Sequence, residues 1–415
     1  MRIAIIGTGI AGLTCAHLLS RRHEVTVFEA ADWVGGHTHT IDVQWQGQRY
    51  AVDTGFIVFN DWTYPNFIRL LDHLKVASQP TQMSFSVHDP RRGFEYNGHR
   101  LDTLFAQRRN LVSRGFWGML CDILRFNREV IADLDSQRIY SDTTLGAYLK
   151  KQGYGQRFID HYIVPMGSAI WSMSRADMLA FPLQFFVRFC RNHGLLSVSH
   201  RPQWRVIEGG SRGYVAPLCR PFAERIRLNC PVERVERDEG GATLFSAAGM
   251  ERFDSIVFAC HSDQALALLG RPSVAERTVL SAITYASNDV VLHTDTRLLP
   301  RRRKAWASWN YRLGGEEHAP AALTYNMNIL QAIEAPATFC VSLNQTALVD
   351  PAQILARFEY AHPQYSLAAL AAQARHGELQ GRQNSYFCGA YWGNGFHEDG
   401  VLSALKVAEH FGERL

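Results

Sequence analysis

The sequence predicts an α/β protein: a Rossmann-like dinucleotide-binding domain with a parallel sheet and a β-hairpin insertion, joined to an α+β substrate domain. Three observations carry this. An apolar run, Ile3 to Ile6, leads straight into Gly7-x-Gly9-x-x-Gly12 and then the helical spacing Leu13, Ala16, Leu19. A second strand, "EVTVFEA", ends on an acid, Glu29, about 20 residues past that turn. The chain, at 415 residues, is long enough for two or three domains with cores of their own.

Each element has a physical reason. An unbroken apolar run suits a strand buried on both faces, as parallel strands are. Gly7 permits the tight turn, Gly9 lets a pyrophosphate approach the backbone, and Gly12 lets the helix sit close to the sheet. Free N–H groups at that helix start attract the anion. A carboxylate at Glu29 accepts hydrogen bonds from a ribose, so strand, turn, helix, strand and acid stand in the order that nucleotide binding requires.

Composition narrows the classes. With 47% hydrophobic and 20% charged residues, the chain is neither disordered nor fibrous. The formal charge of +4 is mild and dispersed except at "QRRN" (107–110) and "RRRK" (301–304), so nucleic acid is not an expected partner. Eight scattered cysteines without C-x-x-C spacing point to reduced thiols, a cytoplasmic protein and no metal site. The opening apolar run imitates a secretory signal, but its regularly spaced glycines fit a helical signal core poorly.

Six residues after Glu29 comes "GGHTHT" (35–40), a second glycine pair able to close over the same pyrophosphate. The whole resembles the flavoprotein superfamily of amine oxidases, protoporphyrinogen oxidases and carotenoid desaturases, in which the dinucleotide is FAD. The resemblance continues in "RYAVDTGF" (49–56), whose Asp-x-Gly leads under the flavin ring, and in "LNCPVERVERDEG" (228–240), a hairpin whose Val232 contacts adenine. It includes "DSIVFACHSDQAL" (254–266), with His261 where relatives place a proline turn. "GAYWGNGFHEDGVLSALKVAEHF" (389–411) has the form of the segment whose helix start stabilises negative charge on the reduced pyrimidine ring. Closer still, "GGH", "GFIVFN", "YPNF", "HTD", "AWASWNY" and "GFHEDG" are similar to a bacterial subgroup of FAD/NAD-binding proteins associated with lipid-modifying enzymes.

This resemblance implies FAD-binding roles for Gly7, Gly9, Gly12, Glu29, Gly35, Gly36, His37, Gly55, Phe56, Val232 and Gly389, and for the backbone of His397, Glu398, Gly400 and Val401. Tyr391, Trp392 and Phe396 are expected beside the ring. The FAD-binding domain comprises 1–75, 200–285 and 375–415; the substrate domain comprises 76–199 and 286–374.

Departures from the amine oxidases bear on substrate. The second glycine motif ends in His37 rather than arginine, and "TYASNDVVLHTD" (284–295) has Asn288 and Asp289 where those enzymes place a lysine. Phe396 stands for one tyrosine of their amine cage, and Ala390 for a carboxylate that contacts the cofactor. These losses count against an amine.

In the first insertion Phe116, Leu120, Ile123, Asn127, Val130 and Leu134 recur at helix spacing, which predicts an amphipathic helix packed on its own domain. Its start, "RRNLVSRGFWGML" (108–120), also suits an interfacial helix on anionic lipid at the inner face of the membrane. "PMGSAIWSMSRADMLAFPLQFFVRF" (165–189) suits an apolar tunnel. The second insertion reads as strands, with His293, Trp309, Tyr325 and Asn344 as substrate-facing positions.

The expected activity is C–H oxidation or desaturation of a hydrophobic, fatty-acyl or lipid substrate, with hydride transfer to flavin N5 and oxygen or an electron-transfer partner as acceptor. His397, His261, Asp399 and Tyr391 are the catalytic candidates. Alternatives are a fatty-acyl double-bond isomerase, an amine oxidase, and a non-catalytic FAD- and lipid-binding partner of other enzymes.

Overall fold

A computed structural model describes residues 1–415. Five strands form a parallel sheet in the order Ile226–Arg227, Glu24–Phe28, Arg2–Ile6, Ser255–Phe258 and Ser385–Phe387. Ile3, Ala4 and Ile5 are fully buried, because the sheet is covered on both faces. On one face Ile3 and Ile5 share a core with the first helix, Ile10–Leu19, and the last, His397–His410. On the other, Ala4, Ile6 and Phe28 meet Val235 and Leu244 of an antiparallel hairpin sheet, Val232–Asp238, Gly241–Ser246 and Gly249–Phe253.

A second sheet has seven strands, ordered Ile354–Gln364, Thr284–His293, Cys340–Leu343, Leu323–Asn326, Trp309–Arg312, Phe85–Asp89 and Phe94–Asn97. The last two come from the first insertion, for which the sequence suggested helices. Both are short, and Phe85–Asp89 finds its parallel partner, Trp309–Arg312, far along the chain. Local periodicity cannot announce such a pairing.

The expected amphipathic helix is Arg114–Asp135, started by Ser113, whose hydroxyl accepts the Phe116 N–H. Phe116, Asn127 and Val130 are buried, and Leu120, Ile123 and Leu134 pack on the same core. Its inner face is thus committed to its own domain. No helix is long and apolar enough to cross a membrane.

The parallel sheet is tied to its surroundings by a buried ion pair. Arg237 of the hairpin sheet donates to Glu276 (3.0 Å), to the Arg271 carbonyl (3.1 Å) and to the Ser385 hydroxyl (3.2 Å). Glu276 also accepts the Ser273 N–H at the start of its own helix (2.7 Å). Both side chains are buried. Glu276→Gln leaves the guanidinium uncompensated, so we expect denaturant unfolding of the whole chain to show a loss of about 3–5 kcal/mol. Asp135→Ala, which breaks an exposed pair with Arg191, should cost under about 1 kcal/mol.

Candidate active site

The nucleotide cradle forms where the first strand meets the first helix. Gly7 turns with φ +106°, and a Cβ at Gly12 would stand 2.1 Å from the Gly7 carbonyl oxygen, so the backbone itself demands both glycines. Gly9 differs: a Cβ there would meet nothing within 4 Å. The second glycine pair crosses beside it, with Gly36 (φ +58°) close enough that its Cβ would lie 3.1 Å from the Gly9 Cα; Gly35 turns with φ +129°. Glu29 accepts the N–H groups of Thr8 (2.9 Å) and Ala31 (2.9 Å). Val232 begins the hairpin nearby, since the Asn229 and Cys230 N–H groups bond the carbonyls of Ala31 and Glu29.

Beyond this cradle the loop folds onto Gly55, where a Cβ would lie 2.0 Å from the His37 carbonyl oxygen; the Phe56 N–H donates to that same oxygen (2.8 Å). The His37 ring faces those of His261 (5.9 Å), Tyr360 (5.1 Å) and His362 (5.7 Å). Burial, aided by the neighbouring rings, pushes His37 and His261 down to about 4 and His362 to about 3. These imidazoles are therefore neutral at neutral pH. The His37 Nε2 is buried and without a protein partner, a situation costing about 1–3 kcal/mol unless a ligand satisfies it. An open face at the phosphate-binding turn, an acid closing the second strand and this orphaned nitrogen together fit a dinucleotide.

His362 is held by a polar relay that runs in one direction. The Asp289 N–H donates to Asn344 Oδ1 (3.1 Å), Asn344 Nδ2 donates to Asn288 Oδ1 (2.9 Å), and Asn288 Nδ2 donates to His362 Nδ1 (3.2 Å). The backbone amide orients each side-chain amide in turn, which leaves the neutral His362 with its proton on Nε2. The Ser172 hydroxyl also reaches Nδ1 (3.0 Å). Asn288, where the resemblance places a lysine, is thus fully engaged. His362 and Tyr360 escaped the sequence reading; the one signal was the alternation Phe358, Tyr360, His362 on one face of a strand.

At the last helix the structure corrects several expectations. His397 is buried, lies flat on Phe56 (3.3 Å between centroids), and its Nε2 meets the hydroxyls of Tyr214 (2.8 Å) and Thr38 (3.0 Å), which also bond each other. It is a structural anchor. Asp399 accepts the Phe396 N–H (3.0 Å) and caps its own helix, which removes it from the bases, and burial pushes its carboxyl up to about 6. The Glu398 carboxylate caps a different helix, accepting the N–H groups of Asn66 and Phe67. The Gly400 N–H is spent on the Phe396 carbonyl, and Val401 lies a full turn into the helix, so neither amide is free. The Gly389 N–H likewise goes to Ser403 (2.9 Å). Tyr391 is a core residue, its ring filling the space a Cβ at Gly389 would take. Free donors at this helix start are the amides of His397, Glu398 and Asp399.

Two further elements complete the surroundings. Asp53 accepts from Thr40 (2.6 Å), from the Ser211 N–H (2.9 Å) and from Gln331 (2.9 Å), and its own N–H bonds Gln331. Burial raises this carboxyl to about 6 against those bonds. Phe396 stacks on Phe189 (5.3 Å) and Tyr365 on Phe185 (5.2 Å), while Trp171 packs on Phe181 and Phe189. His293 is bonded to Ser342 and Trp309 is set edge-on to Tyr325, both within the second sheet.

Two predictions follow from this geometry. Because a Cβ at Gly9 touches no protein atom, Gly9→Ala should melt like the parent apoprotein yet lose about tenfold or more in FAD affinity by titration. Unchanged affinity would route the pyrophosphate elsewhere. The second concerns acid. A histidine with depressed native pKa leaves the unfolded chain binding more protons, so its stabilisation is complete above about 6.5 and is lost as pH falls towards its native value. Asp53 and Asp399 act oppositely between about 4 and 6, but His37, His261 and His362, with His193, His293 and His376 also near 4, outnumber them. The apoprotein's melting temperature should fall between about pH 6.5 and about pH 4.5, and His362→Gln should make that fall shallower.

The chain is similar to known flavoproteins in sequence and in fold. The profile of a family described as flavin containing amine oxidoreductase matches residues 10–325. A Mycobacterium tuberculosis protein provisionally named as a flavin-containing monoamine oxidase, AofH, is 25% identical over 272 residues, covering 62% of this chain. This chain spans only 56% of that relative's length. A putrescine oxidase solved with putrescine superposes over 99% of both chains with TM-score 0.71 at 15% identity. A fatty acid isomerase from P. acnes, described as producing CLA, superposes over 99% of this chain and 98% of its own with TM-score 0.68 at 14% identity. The likeness to these two structures is one of fold; the profile assigns the family, and the chain belongs to the flavin containing amine oxidoreductases, with FAD as its cofactor.

Proposed function

We propose that this chain is an FAD-dependent oxidoreductase that oxidises a C–H bond of a hydrophobic substrate, a fatty-acyl chain or lipid being the class that suits it best. The supporting observation is the aromatic cluster of Phe185, Phe189, Phe396, Trp171 and Tyr365, in which Phe185 and Phe396 are only partly buried. The acids nearest to it in sequence, Glu398 and Asp399, have their carboxylates bonded to backbone amides at two helix starts. The putrescine and monoamine oxidases among its relatives act, by name, on amines, and the fatty acid isomerase on an acyl chain. The apolar character of this cluster is our reason for favouring the acyl chain.

FAD, when bound, supplies the hydride acceptor. The Gly9 and Gly36 loops would hold its pyrophosphate and Glu29 its ribose. Desaturation removes a hydride from one carbon and a proton from its neighbour, so the chain must also supply a base. With His397 and Asp399 committed to anchoring and capping, His261 is the residue of the original set that we assign to this role. It is half-buried, stacked on Tyr285 (4.2 Å), and unprotonated at neutral pH as a base must be, while the burial that holds it at about 4 weakens its hold on a proton. His362, with its proton fixed on Nε2, acts as a hydrogen-bond donor.

The test is anaerobic mixing of the yellow protein with panels of acyl lipids and amines while flavin absorbance is followed. We expect bleaching by an acyl lipid, and His261→Ala to keep the bound-flavin spectrum while slowing bleaching about 10²–10⁴-fold. Bleaching by amines alone would overturn the substrate class, and a shifted double bond without bleaching would replace oxidation by isomerisation.

A further inference from the structure

We propose that the helical insertion carries a cationic cavity that seats the phosphate of an anionic phospholipid and holds the protein at a membrane surface. The cavity, of about 410 Å³, opens between the turn Arg108–Val112, the start of helix Arg114–Asp135 and the segment Gln156–His161. It shares no residue with the flavin site.

Its lining carries more positive charge than it neutralises. Arg92, Arg109 and Arg157 all contribute. Arg109 donates to the Gly93 carbonyl (2.6 Å); Arg157 lies over the Phe94 ring (5.1 Å) and reaches the Ser113 hydroxyl (3.4 Å); neither is paired with a carboxylate. Arg92 is held by Asp89, which accepts its backbone N–H (3.0 Å) and forms a long ion pair with its guanidinium (3.9 Å). The one acid of the lining, Asp160, is already bonded to Arg175 (2.8 Å). The His161 Nδ1 is buried with no partner. The positive end of a 22-residue helix adds to the same field. Two planar guanidinium groups without a carboxylate partner, half enclosed beside an orphaned imidazole nitrogen, suit a phosphate oxyanion.

The outer side of the same turn identifies the source of that phosphate. While Arg109 and Asn110 line the cavity, Leu111 and Val112 project to solvent, Val112 with 86% of its surface exposed. Trp117 is 47% exposed and donates its indole N–H to the Leu111 carbonyl (2.8 Å), so it stands beside them. Arg100, Arg108 and Arg114 are exposed nearby in the chain. Exposed apolar groups with a tethered tryptophan, rimmed by arginines, match the layer between headgroups and acyl chains. A soluble phosphate would need the cavity but not this apolar rim. The turn, rather than the inner face of the following helix, is the docking element, because that face is buried in its own domain.

The test is flotation of the full, FAD-loaded chain with vesicles of phosphatidylcholine alone or mixed with phosphatidylglycerol. We expect flotation only with the anionic vesicles, a fall of about tenfold or more in binding for Arg109→Gln with Arg157→Gln, and a comparable fall for Val112→Asp. Arg220→Gln with Arg225→Gln, which removes the same charge from exposed positions elsewhere, should bind like the parent. Absence of flotation, equal loss in that control pair, or a melting temperature raised by inorganic phosphate without vesicle binding would each overturn the proposal. Flavin bleaching is read on the same preparation, so flotation without bleaching rejects the proposed reaction and leaves the docking site intact.

Discussion

The junction at His397 governs the arrangement of the whole molecule. This imidazole joins the second glycine loop through Thr38, the turn at Ser211–Tyr214 through Tyr214, and the start of the last helix, and it does so while lying flat on Phe56. Burial and the nearby His37 hold it well below its ordinary pKa, so the contacts are made by a neutral ring with hydroxyls. A charged ring there would need a buried carboxylate partner, and none is supplied. Gly400 completes the junction: a Cβ would stand 2.7 Å from Ile10 Cγ2, so the first and last helices can approach only because that position is bare. The three free amides of the last helix owe their position to this contact.

Around that junction polar side chains are fixed by direction rather than by charge. The Asp53 carboxylate gathers Thr40, Ser211 and Gln331, tying its hairpin to the turn at Ser211–Tyr214 and to the end of the short helix Met327–Leu330. The relay from the Asp289 amide through Asn344 and Asn288 orients His362. Such networks are worth keeping only when every member is satisfied, because a half-satisfied buried network costs more than an apolar one. Arginines, in contrast, are absent from the ring of histidines, and those of the helical insertion stand mostly at exposed positions, where solvent offsets their charge. The molecule thus separates a neutral, directional cleft from a cationic outer surface.

Much of the fold was legible in the sequence where the signal is local. Gly7-x-Gly9-x-x-Gly12, the strand ending at Glu29 and the helical spacing from Phe116 to Leu134 each act over a few residues, and each has a counterpart in the structure. The strands Phe85–Asp89 and Phe94–Asn97 were not legible, because short strands acquire their identity from a partner. The same limit applied to side chains at the site. Asp399, Glu398 and Tyr391 stand where chemistry is plausible in a linear reading, and in three dimensions serve as two helix caps and a core ring.

By itself the sequence determined the nucleotide turn, since a glycine without a Cβ is a property of one residue and its spacing, and it determined the family by the same motifs. Only the tertiary structure decided which polar groups remain free. Whether a carboxylate is a base or a cap, and whether an arginine is paired or waiting for an anion, depends on neighbours brought from distant parts of the chain. Hydrogen bonds and desolvation act over a few ångströms of space, and separation along the chain does not measure that distance.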